Sequence, residues 1–375
     1  MHRSPLLLPA AFAVFGMQWG AWQAVLPDLA AAYGLSSGPL GAILTAGFAV
    51  SMPAMIATGR LVDRLGAGWG MAIPAAVIAS GLVAVAIGGP VWLLVAGVVA
   101  MAAGSGSYDV AINGAGMADA GWSRPARMTL LHAAFSGGGV IGAVGGGAAI
   151  SAGIPIAVVY GLVAAAMVGI GVLAAGSHPP AAAGAEGSVG SALARMMIPF
   201  AVVAALAFLA EGSMETWSAL YLRDDLGAAA FIGALGPAAF HAAMLTGRLI
   251  GAGVATRLGA ASTLLVAGSM TVAGMAVALA VPTAALAIPG MAIAALGAAF
   301  IVPVVVSLAA ARAGSSAGRA ASYVLTLGYA GFLIGPSLVG ILGEIAGLRV
   351  ALVVVPIAGL VIVAASRLRT VVAPR

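Results

Sequence analysis

Apolar runs of about 20 to 30 residues, each closed by Gly, Pro or charge, recur from one end of the chain to the other. They mark twelve spans, starting near Leu6, Gly38, Trp69, Pro90, Met128, Pro155, Met196, Ala229, Ser262, Ala284, Ala321 and Leu348. Each is long enough to cross a bilayer, and a short lipid-embedded segment satisfies its own backbone groups only as a helix. The pattern predicts an all-α membrane protein of twelve transmembrane helices. The first run, Leu6 to Ala32, exceeds the apolar core of a signal peptide and has no small-residue cleavage site, so it reads as a span.

Composition sharpens this. Of 375 residues 63% are hydrophobic and only 7% charged, and the mean hydropathy is +1.17, whereas about a quarter of residues in a soluble domain are charged. A soluble enzyme, a secreted domain or a nucleic-acid binder is excluded as a reading of the whole chain. The absence of cysteine removes disulfides, thiolate metal sites and Cys nucleophiles, and neither a metal nor a cofactor is expected. The net charge of +5 comes from fifteen arginines scattered singly or in pairs. With a cytoplasmic N-terminus, thirteen of them (Arg3, Arg60, Arg64, Arg124, Arg127, Arg195, Arg248, Arg257, Arg312, Arg319, Arg367, Arg369 and Arg375) fall on the inner side, and only Arg223 and Arg349 fall outside. This positive-inside bias predicts that both termini are cytoplasmic, and the arginines answer to the lipid bilayer rather than to nucleic acid.

The stretch Gly176 to Ala194 (GSHPPAAAGAEGSVGSALA) is Pro/Gly/Ser-rich and sits mid-chain. It reads as a cytoplasmic linker over 177–194 between an N-terminal six-helix bundle, 1–176, and a C-terminal one, 195–375. The halves repeat: an offset of 193 carries Arg64-Leu65-Gly66 onto Arg257-Leu258-Gly259, Gly34 onto Gly227 and Ile141-Gly142 onto Ile334-Gly335.

Between spans 2 and 3 stands Gly59-Arg60-Leu61-Val62-Asp63-Arg64-Leu65-Gly66. It resembles the G-x-L-x-D-R-x-G loop of the major facilitator superfamily. The resemblance implies two pseudo-symmetric six-helix bundles, a monomer, and a cytoplasmic gate in which Gly59 and Gly66 allow close helix approach while Asp63 pairs with arginine, Arg64 and Arg257 being the local basic residues. The second-half copy keeps Arg257 and Gly259 but has Thr256 in place of the Asp. A positively charged turn serving topology alone is the alternative.

A narrower resemblance lies in Ser107-Tyr108-Asp109-Val110-Ala111-Ile112-Asn113 and in Leu131-His132-Ala133-Ala134-Phe135-Ser136-Gly137-Gly138. These are similar to the fucose-permease-like branch of bacterial inner-membrane permeases, which has an acid four before an Asn in helix 4 and a polar residue at the start of helix 5. Ala210-Glu211-Gly212 and Trp217-Ser218-Ala219-Leu220-Tyr221-Leu222-Arg223 in span 7 fit the same branch. In one respect the chain departs: where the branch's sugar symporter has an acid four before the Pro of helix 1, here Gln23 precedes Pro27. That departure counts against fucose itself.

Membrane depth points to the same residues without any family. Ser105, Asp109 and Asn113 follow an i, i+4, i+8 pattern, and His132 and Ser136 enter from the same side. Asp109 lies about 12 Å inside span 4. Glu211, Glu215 and Ser218 share a face of span 7, and His241 stands seven before Arg248 on span 8. A carboxylate at mid-membrane costs about 2.5 to 3.5 kcal/mol on insertion scales, which favours a wet cavity, a partner or a proton. Asp109, Asn113, His132, Glu211, Glu215 and His241 are thus the candidates for proton coupling or binding, with Gln18, Trp22, Gln23 and Trp217 set to receive a solute. The structural alternatives are helix-fixing polar pairs for the acids, interface belts for the tryptophans, and a snorkelling Arg248. The Gly137 to Gly147 run has the fourth-residue spacing of close helix packing; it also approaches an exporter motif, with Ala143 in place of the Pro.

The expected function is secondary active transport of a small solute, sugar-like among the options, with protons as the coupling partner. The alternative is proton-driven export of a drug or metabolite on the same fold, to be favoured by a cavity rich in Met and aromatic side chains. A membrane enzyme or sensor is disfavoured, since no loop holds a domain.

Overall fold

The computed structural model describes residues 6–118, 124–175 and 190–368, and among these there is no strand. The first half contains α1 (Leu7–Ala32), α2 (Ser37–Leu65), α3 (Ala67–Ile87), α4 (Val91–Ala118), α5 (Arg124–Ser151) and α6 (Ile156–Ala174). The second contains α7 (Ser191–Leu220), α8 (Ala230–Leu258), α9 (Ala260–Ala280), α10 (Ala284–Ala313), α11 (Ala317–Gly328), α12 (Ala330–Ala346), α13 (Leu348–Ala351) and α14 (Val354–Ala365). A π-helical turn, Tyr221–Asp225, continues α7.

Among the described residues ten helical stretches are long and apolar enough to cross a membrane. One of them, Ala284–Ala346, holds two passes, α10 and then α11 with α12. Helix α1 is outside that set because Gln18, Trp19, Trp22 and Gln23 lower its apolarity, yet at 26 residues it is long enough to span. Together these make twelve rods.

The structure extends the repeat seen in the sequence. Adding 193 to the bounds of α2 gives those of α8, and the same shift takes α3 onto α9 and the starts of α4 and α5 onto those of α10 and α11. The joints repeat too: Gly34 and Gly227 have φ of 61° and 65°, and Gly66 and Gly259 have 85° and 74°. Only glycine adopts such angles without strain, so these turns are written into the sequence.

Packing follows the same relation. Helix α1 lies on α5 and α6 as α7 lies on α11, α12 and α14, and α3 on α4 and α6 as α9 on α10 and α14. Between the halves α5 packs on α8 and α2 on α12, two contacts that exchange under the repeat. That exchange is what a pseudo-two-fold axis between the bundles requires.

Lipid gives helices no hydrophobic reason to associate, so close packing rests on small residues. A Cβ on Gly138 or Gly142 of α5 would collide with the carbonyls of Ala13 and Met17 on α1. One on Gly147 would strike Ala234 of α8. The Gly-rich run is therefore a packing surface for two neighbours.

Some boundaries differ from the sequence reading. Helix α7 begins at Ser191 rather than near Met196, so the last four residues assigned to the linker form its first turn; 176–189 lie outside the described residues. Span 11 breaks at Tyr329, between α11 and α12.

The interface between the halves is shut at one end. There Asp28 pairs with Arg223 at 2.5 Å and the Gly38 N–H donates to Glu344 Oε2 at 2.9 Å, while within the second half the Arg349 N–H donates to Asp225 Oδ2 at 2.8 Å. The other end, where α2 meets α3 and α4 and α8 finish, opens into a cavity of about 1520 Å³ whose mouth includes the exposed Ile56 and Met117.

Candidate functional site

Four helices bring polar groups to the closed end of this cavity. From α1, Gln23 donates through Nε2 to Glu215 Oε1 of α7 at 2.8 Å. Its own Oε1 lies 3.0 Å from His241 Nε2 of α8, and His241 Nε2 is 3.8 Å from Glu215 Oε1. With Glu215 ionised the carboxylate only accepts, so the Gln23 amide nitrogen faces Glu215, its oxygen faces His241, and His241 Nε2 carries the proton. One amide thus ties both halves together at the apex.

Asp109 on α4 accepts from Asn113 Nδ2 at 2.9 Å, and the same nitrogen reaches the Asp109 carbonyl at 2.9 Å. Glu211, one turn before Glu215, lines the cavity. The helical spacing read from the sequence does put each set on one face, and Asp109, Asn113, His132, Glu211, Glu215, His241, Trp22 and Gln23 all line the same space.

Gln18 and Trp217 are placed elsewhere. Gln18 is fully buried, accepts from Ser105 Oγ at 3.5 Å, and does not line the cavity. Trp217 is fully buried beside Gly340 of α12, and among the described residues its indole nitrogen has no hydrogen-bond partner. The reason is rotational: Trp217 is two residues past Glu215 on α7, about 200° around the helix and so on its far side. Trp22 has a second role, stacking on Tyr160 with centroids 5.7 Å apart.

Arg248 overturns its expected place at the inner surface. Its Nη1 donates to the His132 carbonyl at 2.9 Å and to Ser136 Oγ at 2.5 Å, and its guanidinium lies 5.8 Å from the centroid of the Phe135 ring. The side chain reaches from α8 to α5 across the interface and lines the cavity, within electrostatic reach of Asp109, Glu211 and Glu215. The spacing of seven from His241 had already put it on the cavity face. Sequence reasoning also missed Tyr329, Phe208 and Phe332, which line the cavity as a ring cluster.

A family model described as Major Facilitator Superfamily matches residues 7–336. The chain belongs to the major facilitator superfamily. It is 29% identical over 361 residues to an uncharacterized MFS-type transporter of Yersinia pestis, covering 95% of this chain and 93% of that one. Its fold is similar to that of the nucleoside transporter NupG, with a TM-score of 0.78 at 15% identity over 96% of this chain and 98% of the other. It is also similar to the E. coli fucose:proton symporter FucP, with a TM-score of 0.66 at 17% identity over 96% and 97%. Family and fold make this chain a multi-pass membrane transporter rather than an enzyme. Among the described residues no group of three or more His, Asp or Glu is arranged to hold a metal.

The superfamily's loop motif lies at the open mouth. Gly66 forms the joint between α2 and α3, Asp63 and Arg64 are exposed in the last turn of α2, and Arg257 is exposed in the last turn of α8. Asp63 makes no ion pair among the described residues, and a Cβ on Gly59 would meet open space. The close approach expected at Gly59 is absent while this face is open. Thr256, at the position of the missing second acid, donates to the Ala252 carbonyl of its own helix at 2.7 Å.

Proposed function

We propose that this chain carries a small polar or amphipathic solute across a bacterial inner membrane by alternating access, coupled to protons. The observation that carries the reading is the Gln23, Glu215 and His241 set, in which one hydrogen-bonded unit joins α1 of one half to α7 and α8 of the other. Rocking the halves apart at the closed end must break these bonds, so occupancy and protonation of the apex are linked to conformation. The halves 1–176 and 195–375 move about the segment between them, with both termini cytoplasmic, as the arginine distribution supports. The open cavity is then the inward-facing one, and the chain works as a monomer. Glu211, Glu215 and Asp109 are the proton carriers in this scheme, and Gln23 and Trp22 contact the solute. Hydrogen-bonding groups at the apex favour a sugar-like or nucleoside-like solute, in keeping with the substrates named for the two similar folds.

A second reading, proton-driven export of an amphipathic compound, draws support from the walls. Six methionines, among them Met52, Met55 and Met128, line the cavity with many aromatic rings. Proteoliposomes with an imposed pH gradient decide between these. Solute-dependent proton influx with accumulation supports symport; efflux of a hydrophobic compound against its gradient supports export; solute movement without proton flux overturns the coupling.

A further inference from the structure

Glu211 is the one acid of the cavity that no hydrogen bond or ion pair holds among the described residues, Arg248 acting on it only at a distance. The residue is 7% exposed, it lines the cavity, and among the described residues no hydrogen bond or ion pair reaches it. By contrast Asn113 holds Asp109 and Gln23 holds Glu215. Beside Glu211 stand three rings that also line the cavity. Phe208 is three residues earlier on α7, hence on the same face, and its centroid lies 5.1 Å from that of Tyr329 and 4.9 Å from that of Phe332. Tyr329 is within electrostatic reach of both Glu211 and Asp109. Gly212 lets Phe332 close on α7, since a Cβ there would come within 2.8 Å of the ring.

Among the described residues the cavity is lined by three carboxylates, Asp109, Glu211 and Glu215, and by one guanidinium, that of Arg248. Arg248 spends its Nη1 on the His132 carbonyl and Ser136, and no carboxylate lies within ion-pair distance of it among the described residues. Aromatic faces carry negative potential, and with an unpaired carboxylate in a partly desolvated site they select a positively charged nitrogen. An anionic solute meets an excess of acid there, and a neutral one brings no countercharge to an ionised Glu211.

We propose that Glu211, with Phe208, Tyr329 and Phe332, forms a subsite for a substituted ammonium group, so that the solute carries a cationic nitrogen in addition to the groups that hydrogen-bond at the apex. The inference rests on the transport reading and names the solute class of that cavity.

Calorimetric titration of the purified full-length protein in detergent tests it. The probes are benzyltrimethylammonium, uncharged benzyl alcohol and anionic phenylacetate. Saturable binding of the cation, about tenfold or more tighter than either other probe, is expected. Glu211→Gln should weaken cation binding about tenfold or more, and Tyr329→Leu and Phe332→Leu roughly threefold to tenfold. Tyr329→Phe, which keeps the ring, should lose less affinity than Tyr329→Leu, and an equal loss in both counts against the role of the aromatic face. Equal affinity for the three probes, tighter binding of phenylacetate, or a Glu211→Gln variant of unchanged cation affinity overturns the proposal. Proton-coupled uptake of a neutral sugar by protein that does not bind the cation overturns it while the transport reading stands. Cation binding without any solute-driven proton movement in proteoliposomes does the reverse.

Discussion

The Gln23 amide donates to Glu215 at 2.8 Å and presents its oxygen to His241 Nε2 at 3.0 Å, bridging α1 of one half to two helices of the other. Gln23→Leu keeps the volume and removes both bonds, leaving the half-buried Glu215 carboxylate and the buried His241 imidazole 3.8 Å apart with no hydrogen bond between them. Such a loss costs about 1 to 3 kcal/mol per group. The variant should melt at lower temperature in detergent and transport at least roughly tenfold more slowly, and wild-type turnover would show that the bridge is incidental.

Two glycines of α5 separate folding from conformation. Gly138 meets α1 within one half, in a contact that no rocking of the halves relieves, so Gly138→Ala should lower stability by about 1 to 3 kcal/mol through overpacking. Gly139 meets the His241 ring across the interface, in a contact that parting the halves at this end would relieve. Gly139→Ala should therefore fold but favour the opposite conformation. Thermal melting of both variants checks the contrast, which fails if both lose stability equally.

Much of this was legible in the chain because two strong signals coincide. Apolar run length fixes the helices, and positive-φ glycines such as Gly34 and Gly66, repeated at the same offset, fix the joints. Helical spacing likewise put Asp109 with Asn113, and Glu211 with Glu215, on shared faces. What spacing cannot give is the rotation of each helix about its axis relative to the cavity. Trp217 and Gln18 are polar-tipped residues near the right depth, but they turn into the packed core. Arg248 is the opposite case: a basic residue counted toward topology that folds inward because α5 offers a carbonyl and a hydroxyl. The ring cluster around Tyr329 depends on the break between α11 and α12, and no periodicity marks that break.

The Asp28 and Arg223 pair joins the ends of α1 and α7 at the shut face, each side chain about a quarter exposed at 22% and 24%. An ion pair this wet contributes about 1 kcal/mol or less, enough to shift a two-state population roughly fivefold. Asp28→Asn should raise the fraction open at this end. The chain has no cysteine of its own, so single cysteines at Ser37 and Gly343, flanking the seam, report directly. Faster thiol labelling in the Asp28→Asn background is expected, and unchanged labelling would remove the pair from the gate.

Asp63 answers for the other end. In the open mouth it is exposed and without an ion pair among the described residues, and Gly59 faces open space, so neither contributes to the present state. Their effect is expected when this face shuts and arginines such as Arg64 and Arg257 come near. Asp63→Asn should slow turnover and leave the melting temperature unchanged. Transport at the wild-type rate would count against a gating role.

Coupling through the cavity acids makes the most demanding prediction. Asp109 and Glu211 face the same space from different halves, and neither is neutralised by an ion pair among the described residues. A carboxylate that moves between a wet cavity and a closed one exchanges a proton because desolvation disfavours its charged form. Replacing it by the isosteric amide fixes the neutral state: the helices still pack and the halves still rock, but no proton is taken up or released. Asp109→Asn should therefore abolish accumulation driven by a pH gradient while preserving exchange of solute between equal pools on the two sides, and Glu211→Gln should abolish accumulation while keeping exchange only at solute concentrations raised about tenfold. Measured together in proteoliposomes, the two activities separate a coupling residue from a structural one, since loss of packing removes both. Full accumulation in each single variant and in the double variant would show that the proton travels by another route.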